Sequence, residues 1–335
     1  AALGFTETLL LHCSFGKSDP ESEVAETMAN HLGLRFESFV VNSHSTRCLD
    51  SPGTTWKSPF ADRSTSPTSE LAHHALERLG NRKATILDGT GADGAFGLAA
   101  KFGSWSRLYR LPAWSRRLAN VCYQTWLWKS SVRLEHKTRI LARSCQYSIL
   151  PAILAQNPLA GVLYDAELKD EVNELLSAWT QPFHPDLMHR VILADLALTC
   201  ANVFAQKGLP ILQSAGHSVH FPFLHPKMVQ HSMDTLAYQL AAEPKQTLKT
   251  LLAESVPPKL VFRPKSAFID PTSSIFRDPK FLEYLRAAGD SDSPLAFLLH
   301  RGSFLRLCEA LHRSQTLPDQ TLNAARAVAF MDRWN

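Results

Sequence analysis

No two cysteines of this chain stand close together in sequence. Its six, Cys13, Cys48, Cys122, Cys145, Cys200 and Cys308, are scattered through 335 residues. That spacing excludes a C-x-x-C zinc knuckle, argues against a disulfide framework and suits a reducing compartment. A run of about eighteen apolar residues, the minimum for a membrane-spanning helix, is also missing, so no membrane association is expected. The N-terminus lacks the charged-then-apolar pattern of a secretion signal, which leaves the cytoplasm as the expected location. The formal net charge of +4 is too small over this length to call for a nucleic-acid partner. Internal repeats and low-complexity segments are absent as well. What is present is ordinary globular composition, 45% hydrophobic and 20% charged, in a chain long enough for one large domain or two modest ones.

The most informative stretch is 84–98, A-T-I-L-D-G-T-G-A-D-G-A-F-G-L. Thr85, Ile86 and Leu87 form a short apolar run suited to a buried parallel strand. The chain then breaks at Gly89, Thr90 and Gly91 and continues as a helix-compatible run. A strand that ends in a glycine-rich turn before a helix presents backbone N–H groups to an anion such as phosphate. Asp93 sits inside that turn, where a carboxylate would repel phosphate unless a cation lay between them. Read for function, Asp93 is a Mg²⁺ ligand; read locally, it is the N-cap of a tight connection.

The surrounding pattern gives this stretch a sheet to belong to. Residues 8–12 (T-L-L-L-H) read as a buried strand followed by the turn Ser14-Phe15-Gly16. Asp19 is a good N-cap, Pro20 fits the first helical position, and Glu21 and Glu23 suit the positive end of the helix dipole. Val24, Ala25, Met28, Ala29 and Leu32 recur at helical spacing until Gly33 closes the helix. Residues 35–41 predict a second strand, completing a strand–helix–strand crossover. Residues 42–57 read as loop, and a further helix is expected from Ser66 as N-cap with Pro67 at the first position. The first hundred residues therefore predict β-α-β-α-β, and residues 146–335 a helical remainder broken at Pro158, Pro182, Pro185, Pro222, Pro257-Pro258 and Pro271.

Two other features carry possible chemistry. Residues 101–145 hold ten Lys and Arg against one acid, Glu135, with Trp105, Trp114, Trp126 and Trp128 interleaved. Such a stretch grips nucleic acid, an acidic membrane face or a peptide in some proteins, but amphipathic helices with inward tryptophans explain it as well. His217, His220, His225 and His231 lack a Cys or acidic partner to complete a metal set. His73 and His74 point to different sides of a helix and lack zinc-protease spacing, so they read as solvated or locally bonded.

Three segments in order then resemble one family. The first is Leu87 to Gly97, L-D-G-T-G-A-D-G-A-F-G, similar to L-S-G-E-G-A-D-E-L-F-G. The second runs from Lys207 to S-V-H-F-P-F-L-H-P-K-M-V, similar to K-V-D-R followed by E-V-R-V-P-F-L-D-H-R-L-V. The third, Lys245 to Phe268, contains L-K-T-L-L-A, Pro257-Pro258 and Arg263-Pro264-Lys265-Ser266-Ala267-Phe268, similar to K-x-x-L-R-x-A-L, L-P and R-P-K-x-G-F. Pro59 to Ser64 (P-F-A-D-R-S) and Trp334 add support. Together they resemble the C-terminal synthetase domain of the asparagine synthetase family, to which the β-lactam synthetases and lasso-peptide cyclases also belong.

The resemblance implies an α/β fold: a Rossmann-like parallel sheet of the adenine nucleotide alpha-hydrolase type with a large helical C-terminal part. Residues 1–100 would be the nucleotide-binding core and 101–335 the helical remainder of the same domain. It implies an ATP-dependent amide-forming ligase: a small-molecule or peptide carboxylate is adenylated, pyrophosphate leaves, and ammonia or an amine captures the acyl-adenylate. ATP and Mg²⁺ are the implied cofactors. By position, Asp93 is the Mg²⁺-pyrophosphate ligand, and Gly89 and Gly91 are backbone donors, with Thr90 between them. Phe15 and Asp88 fall where the family holds adenosine. Lys245 opens the third segment on the phosphate side, and Lys265 is the catalytic cation.

The departures are as specific as the matches. Thr90 replaces a Glu (Tyr in the β-lactam synthetases), Gly94 a Glu, Ser218 and His220 the Glu and Arg of E-V-R-V-P, and His225 an Asp. Leu209-Pro210 replaces an Asp-Arg pair. The family's first strand with its Ser-Gly-Gly-x-Asp-Ser loop and its glutaminase domain have no counterpart in these residues. That strand lies mid-sheet, so its loss predicts that Leu9-Leu10-Leu11 and Ile86-Leu87 lack a neighbour and that these residues are the C-terminal piece of a longer or split protein. The alternative reading is a non-catalytic scaffold of the same fold that binds a peptide or protein partner. A tRNA-modifying enzyme on this fold would use the basic stretch but finds no Cys pair for sulfur chemistry.

Overall fold

In the computed structural model the described residues are 7–14, 16, 19–41, 45–57, 62, 64–97, 112, 114–115, 118, 121, 178, 187–263, 275–276, 278–290, 292–293, 295–296, 299, 301–313 and 319–334. Phe15, Lys265 and nearly all of 101–145 lie outside them. So do Pro158, Pro182, Pro185 and Pro271. Trp114 is described and is 68% exposed, not turned inward as the amphipathic reading expects.

The crossover unit forms as its sequence dictates. Strand β1 (Leu9–Ser14) leads to helix α1 (Pro20–His31) and back to β2 (Arg35–Val40). Asp19 caps α1 by accepting the Glu21 N–H at 3.0 Å, and Gly33 takes the positive φ of 67° that ends it. The two strands pair in parallel from Leu9 opposite Arg35 to Ser14 opposite Val40. The stretch read as loop contains a 3₁₀ turn at Arg47–Leu49 and a short helix α2 (Pro52–Thr55). The reason is burial. Cys48, Leu49 and Trp56 enter the core, so their backbone groups must be satisfied locally.

Helix α3 (Thr65–Leu79) starts one residue before Ser66, and Ser64 at its N-cap position makes no side-chain capping bond. Asp62 organises the entry instead, with Oδ1 accepting both the Ser64 N–H at 2.9 Å and the Ser64 hydroxyl at 2.6 Å. His74 on α3 is bonded locally, its Nε2 standing 2.9 Å from Glu37. Strand β3 (Thr85–Leu87) pairs in parallel with β4 (Ser218–His220).

The second half is helical: α4 (Leu187–Ala194), a π-helical stretch Asp195–Phe204, a 3₁₀ turn Ala205–Lys207 and α5 (Leu209–Ser214) before β4. A 3₁₀ turn Pro222–Leu224 follows, then α6 (Pro226–Asp234), α7 (Leu236–Ala241), α8 (Gln246–Ala253) and α9 (Pro258–Val261). Last come α10 (Pro279–Ala287), α11 (Arg301–Arg313) and α12 (Asp319–Asp332). Among the described residues no helix is long and apolar enough to cross a membrane.

The protein is thus mixed α/β, mostly helical, with short parallel strand pairs. The expected continuous sheet is not formed among the described residues, which hold two separate two-stranded sheets, β1-β2 and β3-β4. Leu11 of β1, Ile86 of β3 and Val219 of β4 nevertheless rest on the same core, built from Trp56, Ile211, Phe281, Leu285 and Phe330. Arg263, past the end of α9, spans to the first turn of α1: Nη1 donates to Glu21 Oε1 at 2.8 Å and Nη2 to Oε2. That bidentate bond holds the Glu21 carboxyl below its usual range.

Candidate active site

The site is built on the turn after β3. The Asp88 N–H donates to the His220 carbonyl at 3.0 Å, extending the β3-β4 pairing by one bond. Asp88 Oδ1 then accepts the Thr90 N–H at 2.7 Å, the side-chain-to-backbone closure by which Asp shapes a turn. Gly91 follows with φ of 100°, a conformation open to glycine and strained for residues with a Cβ. Space demands glycine there too, because a Cβ would lie 2.6 Å from Leu224 Cδ2 and 3.3 Å from the Phe223 carbonyl carbon. The P-F-L segment therefore packs directly on the glycine turn. Gly89 differs: among the described residues nothing comes within 4 Å of its Cβ position.

Residues 92–97 continue as helix, opened by Ala95 N–H to the Gly91 carbonyl at 2.8 Å. The inner face carries Ala95 and Phe96 into a second core with Ile192, Leu196, Cys200 and Leu236. The fully buried Ser232 of α6 donates its hydroxyl to the Ala95 carbonyl, and Gln239 Nε2 donates to the Ser232 carbonyl at 2.9 Å. Gly94 has no room for a side chain: its Cβ would stand 2.8 Å from Leu196 Cδ2, 2.9 Å from Asp195 Oδ2 and 3.2 Å from Cys200 Sγ. Where the resembling pattern has glutamate, the space is taken by a carboxylate from the π-helical stretch. Burial, reinforced by Asp195, pushes the Cys200 thiol up, so it is no nucleophile.

The outer face carries Asp93, its side chain 55% exposed, with Lys245 Nζ 3.0 Å from Oδ1. Lys245 comes from the entry of α8. Its N–H donates to the Phe96 carbonyl at 2.8 Å, and its backbone is left-handed, φ 61° and ψ 23°. It is the one non-glycine residue with positive φ among those described, a conformation that costs a side chain about 1–2 kcal/mol. Gly97 completes the arrangement, since a Cβ there would lie 3.1 Å from Asp93 Oδ1 and 3.6 Å from Lys245 Cγ.

A second charged pair joins residues 145 apart in sequence and lies inside the protein. Lys207 is 2% exposed; its Nζ lies 2.5 Å from Asp62 Oδ1 and 2.6 Å from Ser64 Oγ, with the Phe204 ring 4.1 Å away. Burial alone would raise the Asp62 carboxyl, but the Lys207 charge and these hydrogen bonds hold it below its usual range.

Asp88, Gly89, Thr90 and Gly91 are thus brought together in one turn, Asp93 follows in the first turn of the helix and not at its N-cap, and Lys245 is brought to them from the third segment. Phe15 and Lys265 lie outside the described residues. The four histidines do separate jobs. His217 Nδ1 accepts the Ala84 N–H and His225 Nδ1 the Lys227 N–H, each at 3.3 Å. The His220 carbonyl extends the strand pairing, and the His231 ring lies 6.4 Å from that of Phe96. Sequence reading missed Gly97, Asp195 and Ser232. Only Gly97 left a trace, as the last glycine of the first segment.

Whether Mg²⁺ suits these residues is decided by Asp93. It is an exposed carboxylate that already holds a cation, the Lys245 ammonium, and Mg²⁺ on nucleotides is commonly held by one or two carboxylates plus phosphate oxygens and water. Among the described residues no group of three or more His, Cys, Asp or Glu could enclose a metal ion by itself. The donor set therefore fits a metal that arrives with phosphate. No curated protein and no solved structure matches the chain. The profile of the asparagine synthase family does, over residues 4–333, an interval that contains the glycine turn, the P-F-L segment packed on it and Lys245. With a match of that extent, the chain belongs to the asparagine synthase family.

Proposed function

We propose that this chain is the synthetase part of an ATP-dependent, AMP-forming amide ligase. Family membership supports ATP-dependent amide-forming ligase chemistry in general, and the Asp93–Lys245 arrangement on the glycine turn carries the finer reading. In it, a carboxylate substrate attacks the α-phosphate of ATP, pyrophosphate departs, and ammonia or an amine takes the acyl group from AMP. Mg²⁺, when bound, supplies charge neutralisation on the departing pyrophosphate. The chain's own share is positioning and electrostatics. Asp93 would hold the cation, Gly89 and Gly91 would offer backbone N–H groups to phosphate, Asp88 fixes the turn by accepting the Thr90 N–H, Lys245 would serve the phosphates, and Lys265 takes the catalytic role that its R-P-K context implies. Thr90 has no carboxylate with which to act as a base, so the amine is deprotonated elsewhere. A strand carrying a Ser-Gly-Gly-x-Asp-Ser loop, and a glutaminase-like domain as ammonia source, would complete this chemistry. Among the described residues β1 pairs only with β2 and β3 only with β4, which supports that reading.

The test is ATP–pyrophosphate exchange by the full-length protein. Carboxylate-dependent exchange is expected, falling at least about a hundredfold in Asp93→Ala and Lys265→Ala, the scale of losing one transition-state charge partner. Exchange that survives both substitutions overturns the reading. The scaffold reading, favoured by Thr90, Gly94 and Ser218, predicts no Mg-ATP binding by calorimetry.

A further inference from the structure

We infer that Lys245 is a built-in occupant of the metal position on Asp93, so that the site takes a divalent cation only together with a nucleotide. The inference rests on the Mg-nucleotide reading of Asp93 and deepens it. Three observations carry it. The Lys245 ammonium lies 3.0 Å from Asp93 Oδ1, on the carboxylate that would hold a metal ion. The lysine is held there by a left-handed backbone with φ of 61° and by its N–H on the Phe96 carbonyl. Strain of this kind persists where the surrounding structure enforces it, and such positions cluster at ligand clamps and switches. Finally, Gly97 leaves open the space that a Cβ would fill, 3.1 Å from the Asp93 carboxylate and 3.6 Å from the Lys245 stem. Substituting Gly97 would disturb the bridge from outside it.

The physical consequence is a competition. A monovalent ammonium already compensates Asp93, so a free divalent ion gains only the difference between its own attraction and the one it displaces. A metal that arrives on triphosphate or pyrophosphate changes the balance, because the displaced ammonium finds phosphate oxygens to bind. Lys245 then moves from carboxylate to phosphate with little net loss of charge pairing. The lysine stem is long enough to swing while its backbone stays fixed by the Phe96 carbonyl. With no nucleotide present, the same lysine keeps the exposed Asp93 from collecting stray divalent ions.

The experiment is Mn²⁺ titration of the full chain, followed by electron paramagnetic resonance, with and without a non-hydrolysable ATP analogue. Lys245→Asn and Lys245→Gly are compared with the unaltered protein, both residue types being tolerant of the left-handed backbone. Circular dichroism confirms that each is folded. Without nucleotide, both variants are expected to bind Mn²⁺ about tenfold more tightly than the unaltered protein, the scale of removing one partly screened charge. With the analogue present that advantage disappears, and Asp93→Asn abolishes binding in both states. Equal nucleotide-free affinity in the variants and the unaltered protein overturns the competition while leaving Asp93 as a metal ligand. Absence of any Asp93-dependent Mn²⁺ binding, with nucleotide or without, overturns both the competition and the reading beneath it.

Discussion

At the scale of single residues, the two glycines of the turn show how position decides what a residue does. Gly91 is fixed by its backbone, φ 100°, and by the Leu224 and Phe223 atoms that crowd its missing Cβ. Gly89 has open space on the same side among the described residues. Gly91→Ala is therefore expected to destabilise the fold by about 1–3 kcal/mol, combining left-handed strain with displacement of Leu224. Gly89→Ala should stay within about 0.5 kcal/mol of the unaltered protein and still weaken Mg-ATP if phosphate approaches that backbone. Urea melts of both variants, paired with calorimetry, separate the two effects. A stable Gly91→Ala protein would show that the turn is looser than its contacts imply. The sequence displays G-T-G-A-D without distinguishing the two glycines, because the distinction comes from the P-F-L segment more than a hundred residues away.

At the scale of elements, the Lys207–Asp62 pair ties the entry of α3 to the 3₁₀ turn that follows the π-helical stretch. Both belonged to motifs visible in the sequence, P-F-A-D-R-S and the lysine that opens the second segment, yet nothing in either motif says that they meet. Lys207 is almost wholly enclosed, with 3% of its side chain exposed against 26% for Asp62. Removing one member of an enclosed pair deprives the other charge of its ion-pair partner, whereas removing both can be nearly neutral. Asp62→Ala should thus cost about 3–5 kcal/mol, and the double variant Asp62→Ala, Lys207→Met should recover most of it. The pair also predicts a pH dependence. The Asp62 carboxyl is depressed in the folded protein, so its contribution is fully present above the unfolded carboxylate value of about 3.9 and is lost as pH falls through the lower folded value. Chemical melts between pH 7 and pH 3 should show the unaltered protein losing this increment below about pH 4. Asp62→Ala should lack that part of the acid slope. An unchanged slope would place the acid sensitivity elsewhere.

At the scale of the whole molecule, sequence and structure agree most where the forces are local. The cap, proline and closing glycine of α1 appear as read because each acts within a few residues. The short strands appear too, since branched apolar runs favour extended backbone, although Leu87, expected inside a buried strand, is 71% exposed. What the sequence could not disclose is how distant segments share one interior. The main core joins Cys48, Leu49, Trp56 and Ala72 to Phe281, Leu285 and Phe330. Neither the strand-and-helix pattern of the first hundred residues nor the helical pattern of the rest has this packing written in it. Trp56 makes the link concrete: its ring lies 5.5 Å from Phe330 and its Nε1 donates to the Gln206 carbonyl at 2.8 Å. Phe330 itself is 2% exposed, so Phe330→Ala should remove about 3–5 kcal/mol through lost burial and the cavity left behind. Because the same core supports Leu11 under β1 and Ile86 under β3, that loss should reach the strands and the helices together. Hydrogen exchange in the variant should show protection falling by a similar factor in β1 and in α12. The Asp93 turn rests on the second core, so the bridge to Lys245 should survive below the shared transition. Unfolding in two separate steps, with β1 and β2 unaffected by the substitution, would mean that the strand layer and the C-terminal helices are stabilised independently.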